Sequence, residues 1–217
     1  MPPRRSPRVP RPTAVLAAGV AALALAGCFT GDRPTLAEGP EMTGVPAVDA
    51  VLERLDHASR ARFTARYDVL TRYGGLEREA TVVQASPSRR SVTVGDVRYI
   101  IDGSSTATCD LPTGTCSDTI DENRISDSML SIDFYASSAA RRLRRDAAAR
   151  VGRVEGSTIE IAGTRAACVS IPLTSSTETY CALDNGPLAR LDAADLRIEL
   201  TDYSPAPDES AFTHTAD

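Results

Sequence analysis

Phe63-Thr64-Ala65-Arg66-Tyr67-Asp68-Val69 alternates apolar and polar side chains without a break. A period of two sends Phe63, Ala65, Tyr67 and Val69 to one face and Thr64, Arg66 and Asp68 to the other, the pattern of a strand with one buried side. Downstream the pattern repeats in short pieces. Gly74-Gly75 turns the chain, Ala80, Val82 and Val83 fall in the next strand, and Ser86-Pro87-Ser88 turns it into 90–94. Gly95-Asp96 then leads into Val97, Tyr99 and Ile101, and Gly103 ends that run. Short strands joined by tight turns make an antiparallel meander.

Immediately upstream the period changes. Val48, Val51, Leu52, Leu55 and Ala58 recur three and four apart and form one apolar stripe, so a helix precedes the first strand. Residues 124–136 carry Met129, Leu130, Ile132, Phe134 and Tyr135 as a dense apolar patch with no clean alternation. A second helix is expected over 137–151, with Ala136, Ala140, Leu143, Ala147 and Val151 on one face and Gly152 as its stop. Its other face holds Arg141, Arg142 and Arg145 with Arg144 at the edge, either a solvated surface or a contact for anionic headgroups or an acidic partner. Strands resume at 157–161, 166–173, 178–183, 188–192 and 196–203, with Asp184-Asn185-Gly186 as a turn and Phe212 placed to pin the end of the chain.

The five cysteines divide into one and four. Cys28 closes Leu25-Ala26-Gly27-Cys28, which reads as a lipobox: a peptidase cuts before the cysteine, whose thiol carries a diacylglyceryl group built from acyl chains such as palmitate. Arg4, Arg5, Arg8 and Arg11 form a basic head, and 14–26 are nearly all Ala, Val and Leu. Thirteen helical residues rise about 20 Å, too little for a hydrocarbon layer of about 30 Å, so 1–27 reads as a lipoprotein signal peptide for general secretion. Residues 28–46 form a lipidated N-terminus and a Gly/Pro-rich tether reaching roughly 50 Å. A single domain is expected over 47–212, with 213–217 as a loose tail.

Cys109, Cys116, Cys168 and Cys181 allow three pairings. Hairpin geometry favours one. With Cys168 opposite Cys181, Val169 faces Tyr180, Ile171 faces Glu178, and Thr174-Ser175 is left as a two-residue turn. With Cys109 opposite Cys116, Pro112-Thr113 forms the tip and Gly114 follows. A four-thiolate metal site competes, but neither spacing is the short C-x-x-C of zinc knuckles, and no metal site is expected. Two disulfides suit an exported chain.

Composition narrows the function classes. The sequence lacks lysine, and once 1–27 is removed 20 arginines stand against 29 acids, a net charge of −9, which disfavours nucleic acid as a partner. The 190 remaining residues suffice for one domain with a core. No G-x-S-x-G, H-E-x-x-H or S-x-x-K occurs, and His57 and His214 stand apart from any catalytic grouping, so no enzyme and no cofactor are expected.

Phe63-Thr64-Ala65-Arg66-Tyr67 opening the first strand after the helix, Gly95-Asp96-Val97-Arg98-Tyr99-Ile100, and the last strand at 196–203 together resemble the LolA/LolB-type lipoprotein carriers and the related LppX/LprG-type envelope lipoproteins. The resemblance implies an α+β fold in which a curved antiparallel sheet, a half-barrel, wraps a few helices around an apolar hollow for acyl chains. On that expectation Phe63, Tyr67, Val82, Val92, Tyr99 and Ile101 line the hollow by alternation, with Met129, Leu130 and Phe134 as its lid. The expected function is a membrane-anchored extracytoplasmic lipoprotein of the cell envelope that binds or shuttles lipid or a lipidated ligand. The alternative is a tethered interaction or sensor domain with a protein partner and no ligand cavity.

Overall fold

Alternation runs for nine residues, Phe63–Thr71, and this strand, β1, sits sixth of eleven in the sheet. It is the pivot of two antiparallel meanders. One runs outward through β2 (Leu76–Ser86), β3 (Arg89–Val94), β4 (Val97–Asp102), β5 (Ser105–Asp110) and β6 (Thr115–Ser117). The other comprises β7 (Glu155–Ile161), β8 (Thr164–Pro172), β9 (Thr177–Leu183), β10 (Leu188–Asp192) and β11 (Leu196–Ser204), and returns β11 to the free side of β1. The computed structural model describes residues 42–213. The expected signal peptide, Cys28, the tether as far as residue 41 and the tail from 214 lie outside the described residues.

The sheet is curved and unclosed. A bulge between Arg66 and Tyr67 breaks the β1–β11 register, and a bulge bends a strand and steepens its twist. Register sorts the side chains into two faces. Ala65, Val82, Val92 and Tyr99 are direct cross-strand partners in one row, and Phe63 and Tyr67 flank it on β1. This face carries the main core. Val83, Ile100, Ala107 and Cys109 form a smaller cluster on the outer face, covered by Phe212 of the 3-10 turn Glu209–Phe212.

α1 (Pro46–Ala58) buries the expected stripe of Val48, Val51, Leu52, Leu55 and Ala58. It packs on α3 (Ser137–Ala149) and over β7, β8 and β9. Gly186 makes this approach possible: a Cβ there would lie 2.7 Å from Ala58 Cα. α3 stops at Ala149, two residues before the expected end, because the Val151 amide bonds the Pro172 carbonyl at 3.0 Å and not its own helix. Val151 is accordingly exposed.

Both disulfides form as the hairpins dictate, Cys109–Cys116 and Cys168–Cys181. Val169 faces Tyr180 and Ile171 faces Glu178 as expected. At the first hairpin the Gly114 amide bonds the Asp110 carbonyl at 2.9 Å, with Gly114 at φ 68°. The arginine face of α3 is largely engaged: Arg142 meets Glu178 and Asp195, Arg144 meets Asp56, and Arg141 and Arg145 meet Asp133 and Asp146.

Candidate functional site: the concave face and its resident segment

The concave half of the sheet from β1 to β5 is covered by 119–136. Asp121 caps the short helix α2 (Glu122–Ser128), its carboxylate accepting from the amides of Asn123 and Arg124. α2 buries none of its side chains. Met129 ends it in a left-handed conformation at φ 53°, after which the chain dives onto the sheet. Leu130, Phe134, Tyr135 and Ala136 are buried.

Aromatic rings fill the space beneath. Phe134 meets Tyr67 edge-on with centroids 5.2 Å apart, and Tyr135 meets Phe63 the same way at 5.7 Å. Such pairs add a little attraction to the area they bury. Phe63, Tyr67, Val82, Val92 and Tyr99 all face this interior and are buried, and Ile101 is half-buried on the same face. The expected hollow is therefore occupied by the protein's own side chains. Met129 departs from the expected lid: its side chain is 52% exposed, because the left-handed cap turns the backbone before the segment descends.

Gln84 organises the polar side of this interior, and it escaped the sequence reading. It is buried on β2 where alternation calls for an apolar residue after Ala80 and Val82, and that interruption was the available signal. Its amide nitrogen donates to the carbonyls of Ala58 at 2.6 Å and Ala61 at 2.8 Å, closing the C-terminus of α1. Its oxygen accepts from the Tyr135 hydroxyl at 2.7 Å. Arg78 reaches the carbonyls of Ser128 and Asp127 at the other end of the segment, and the Leu188 amide bonds the Tyr135 carbonyl.

Two phenols on the same face lack such partners. The Tyr67 and Tyr99 hydroxyls are buried with no hydrogen bond among the described residues. Burial pushes both phenols above their ordinary pKa, with Tyr135 adding to the effect at Tyr67 and the Asp121 carboxylate at Tyr99. Both phenols lie beneath the same segment, Tyr67 against Phe134 and Tyr99 near Asp121.

No family model matches the sequence, and no curated protein matches it. Solved structures do resemble the fold. MucB from Pseudomonas aeruginosa, solved in complex with MucA, superposes with a TM-score of 0.50 at 13% identity over 78% of this chain and 62% of that one. This is a LolA-like fold. A second structure of MucB aligns over 81% of this chain and 64% of its own with a TM-score of 0.49 and 14% identity. LprF from Mycobacterium bovis aligns over 74% and 98% with a TM-score of 0.39 and 12% identity. The LolA-like chain spans about three-fifths of the MucB chains it matches. The concave face that 119–136 covers is the candidate site.

A second buried polar cluster lies beyond that face, under α3. Arg142 donates to Glu178 at 3.2 Å and to both oxygens of Asp195, while the Tyr180 hydroxyl donates to Asp146. Burial works against the Arg142 charge, but Asp195, Tyr180 and Glu178 outweigh it and hold the pKa above the ordinary value. Every member bonds to another, so the cluster binds α3 to β9 and to the turn at Asp195. No group of three or more His, Cys, Asp or Glu among the described residues is placed to hold a metal ion.

Proposed function

We propose that this protein is a membrane-anchored extracytoplasmic lipoprotein without catalytic activity whose concave sheet face binds the acyl chain of a lipid or lipidated ligand, with 129–136 as a displaceable occupant. The observation that carries the reading is the way this segment is held. Its aromatic side chains sit where a chain would lie, yet α2 buries no side chain and the polar ties run through a few groups, Gln84, Arg78 and the Leu188 amide. An acyl chain entering there replaces Phe134 and Tyr135 with equivalent apolar area, so displacement costs little hydrophobic contact. The orphan hydroxyls of Tyr67 and Tyr99 would meet polar atoms at the chain's carbonyl end.

A second reading has its own support. The cup is filled as it stands, which suits a protein-binding domain, and the similarly folded MucB was solved with a protein partner. The two disulfides suit either role in an oxidising compartment outside the cytoplasm.

A Cys28→Ala variant of the full chain tests anchor and ligand together. It should leave the membrane fraction for the soluble one, and native mass spectrometry without detergent should find a non-covalent lipid mass on it. Persistence in membranes counts against the anchor. Lipid-free spectra from repeated preparations remove the acyl reading in favour of the protein partner.

A further inference from the structure

The outer face of the sheet carries a small notch that the concave site does not use. It measures 170 Å3 and is lined by Thr81, Val83, Ser91, Thr93, Arg98, Asp208, Ser210 and Ala211. Register explains why these side chains meet. Thr81 faces Thr93, and Thr93 faces Arg98, so three adjacent strands supply one polar row, and Arg66 extends it as the partner of Thr81 on β1. Ser91 lies in the neighbouring row, opposite Val83 and Ile100.

The 206–212 segment roofs one side. Thr64 holds it, its hydroxyl donating to the Ala206 carbonyl and accepting from the Asp208 amide. Arg89 lies over the Phe212 ring and pairs with Glu209. The roof is thus fixed, and the notch is a built feature of the fold.

Several of its donors are unspent. The Ser91 hydroxyl is on a residue only 1% exposed and has no partner among the described residues, and the Arg98 Nε is buried without one there. Thr81 and Thr93 make no side-chain hydrogen bond among the described residues, and neither Arg66 nor Arg98 forms an ion pair there. This contrasts with the arginines of α3. The carboxylate that lines the notch, Asp208, is already committed: its side chain accepts from the Ser210 amide at 3.1 Å and the Ser210 hydroxyl at 2.8 Å. Those bonds, then the charges of Arg66 and Arg98, hold its pKa below the ordinary value. Asp202, the partner of Arg66 on β11, adds a second carboxylate at the far end of the row, so the unmet donors of the notch are the Ser91 hydroxyl and the Arg98 Nε. Leaving buried donors unmet is costly, and an unpartnered buried hydroxyl beside the unpaired Arg98 Nε calls for an acceptor from outside.

We propose that this notch binds a tetrahedral oxyanion of the phosphate class, held by Arg98 and Arg66 with hydroxyl donors from Ser91, Thr93 and Thr81. Phosphate accepts well-directed hydrogen bonds from guanidinium on several oxygens at once, and four oxygens match this set of donors better than the two of a carboxylate. The volume equals roughly five to six water shares of about 30 Å3, room for a phosphate group and not for an acyl chain. The site is separate from the concave face and stands whether or not that face binds lipid.

The test is a chemical-shift titration of the purified full chain, following arginine Nε–H and backbone amide signals. Inorganic phosphate should produce saturable shifts at Arg98, Ser91 and Thr93. Arg98→Gln should weaken binding at least tenfold, Ser91→Ala and Arg66→Gln several-fold each, and Arg60→Gln, a control away from the notch, not at all. Unchanged melting temperatures separate lost binding from lost folding. A short-chain phosphatidylglycerol below its micelle concentration distinguishes the source: tighter shifts at the same residues indicate a lipid headgroup, and weaker or absent ones a free phosphate. No saturable shift with either ligand, or equal affinity in wild type, Arg98→Gln and Ser91→Ala, overturns the proposal.

Discussion

The Tyr135 hydroxyl donates to Gln84 Oε1 at 2.7 Å, with both side chains sealed from solvent. This bond joins the segment over the concave face to the strand that closes α1, because the other end of the Gln84 amide holds the Ala58 and Ala61 carbonyls. Removing it with Tyr135→Phe leaves ring packing in place and a buried carbonyl oxygen unsatisfied. The cost should be about 1–3 kcal/mol, read as a fall in melting temperature of about 2–4 °C per kcal/mol for a domain of this size. Amide exchange in 130–136 should rise more than in β8 and β9. Uniform acceleration across both regions would show that the segment has no independent motion.

Arg142 compensates two buried acids, Glu178 and Asp146, which are 4% and 6% exposed. Arg142→Met should cost about 3–5 kcal/mol by leaving that charge uncompensated. Arg142→Met combined with Glu178→Leu should recover part of the loss. Denaturant melts of the two variants check this, and a double variant no more stable than the single one would refute the compensation.

Acid should act on the carboxyls that the fold depresses, Asp133 and Asp195 among them. Asp195 is lowered chiefly by its hydrogen bonds from Arg142. At Asp133 burial raises the value, but hydrogen bonds from Ser137, Ser138 and Ser131 outweigh it and the net shift is downward. A carboxyl with a folded-state pKa below its unfolded value of about 3.9 stabilises fully above that value and loses the contribution as pH falls through the folded one. Stability should therefore be level near neutrality and decline below about pH 4. Asp133→Asn and Asp195→Asn should flatten that decline, and unchanged acid profiles would discount both sites.

Gly186 sits at φ 120°, and an added Cβ would lie 2.7 Å from Ala58 Cα and 2.8 Å from its amide nitrogen. Gly186→Ala must push α1 off the sheet as well as strain the turn, so it should cost more than about 1 kcal/mol. Gly163→Ala, also at positive φ but facing open space, should cost less. Thermal melts that rank the two the other way would remove the close-packing argument.

Reduction should weaken the β8–β9 half more than the edge. Cys168–Cys181 closes the longer loop, a separation of 13 residues against 7 for Cys109–Cys116, and a loop near 15 residues is worth about 3 kcal/mol. Replacing Cys168 and Cys181 by Ala should lower the melting temperature by about 6–12 °C. A larger loss from the Cys109/Cys116 pair would reverse that ranking.

Local pattern alone determined much of this molecule. The alternation from Phe63 to Val69 identified the central strand and its buried face, the spacing of Val48, Val51, Leu52, Leu55 and Ala58 identified α1, and hairpin register selected the disulfide pairing. These features depend on side chains a few residues apart, whose relative directions follow from the backbone period. The occupied interior depended on distance in space. Phe134 and Tyr135 resemble any apolar patch in the sequence, and only the curvature of the sheet turns them into the filling of the site. Gln84, the Arg142 cluster and the oxyanion notch likewise join groups far apart along the chain, and such meetings are decided by how eleven strands stack side by side.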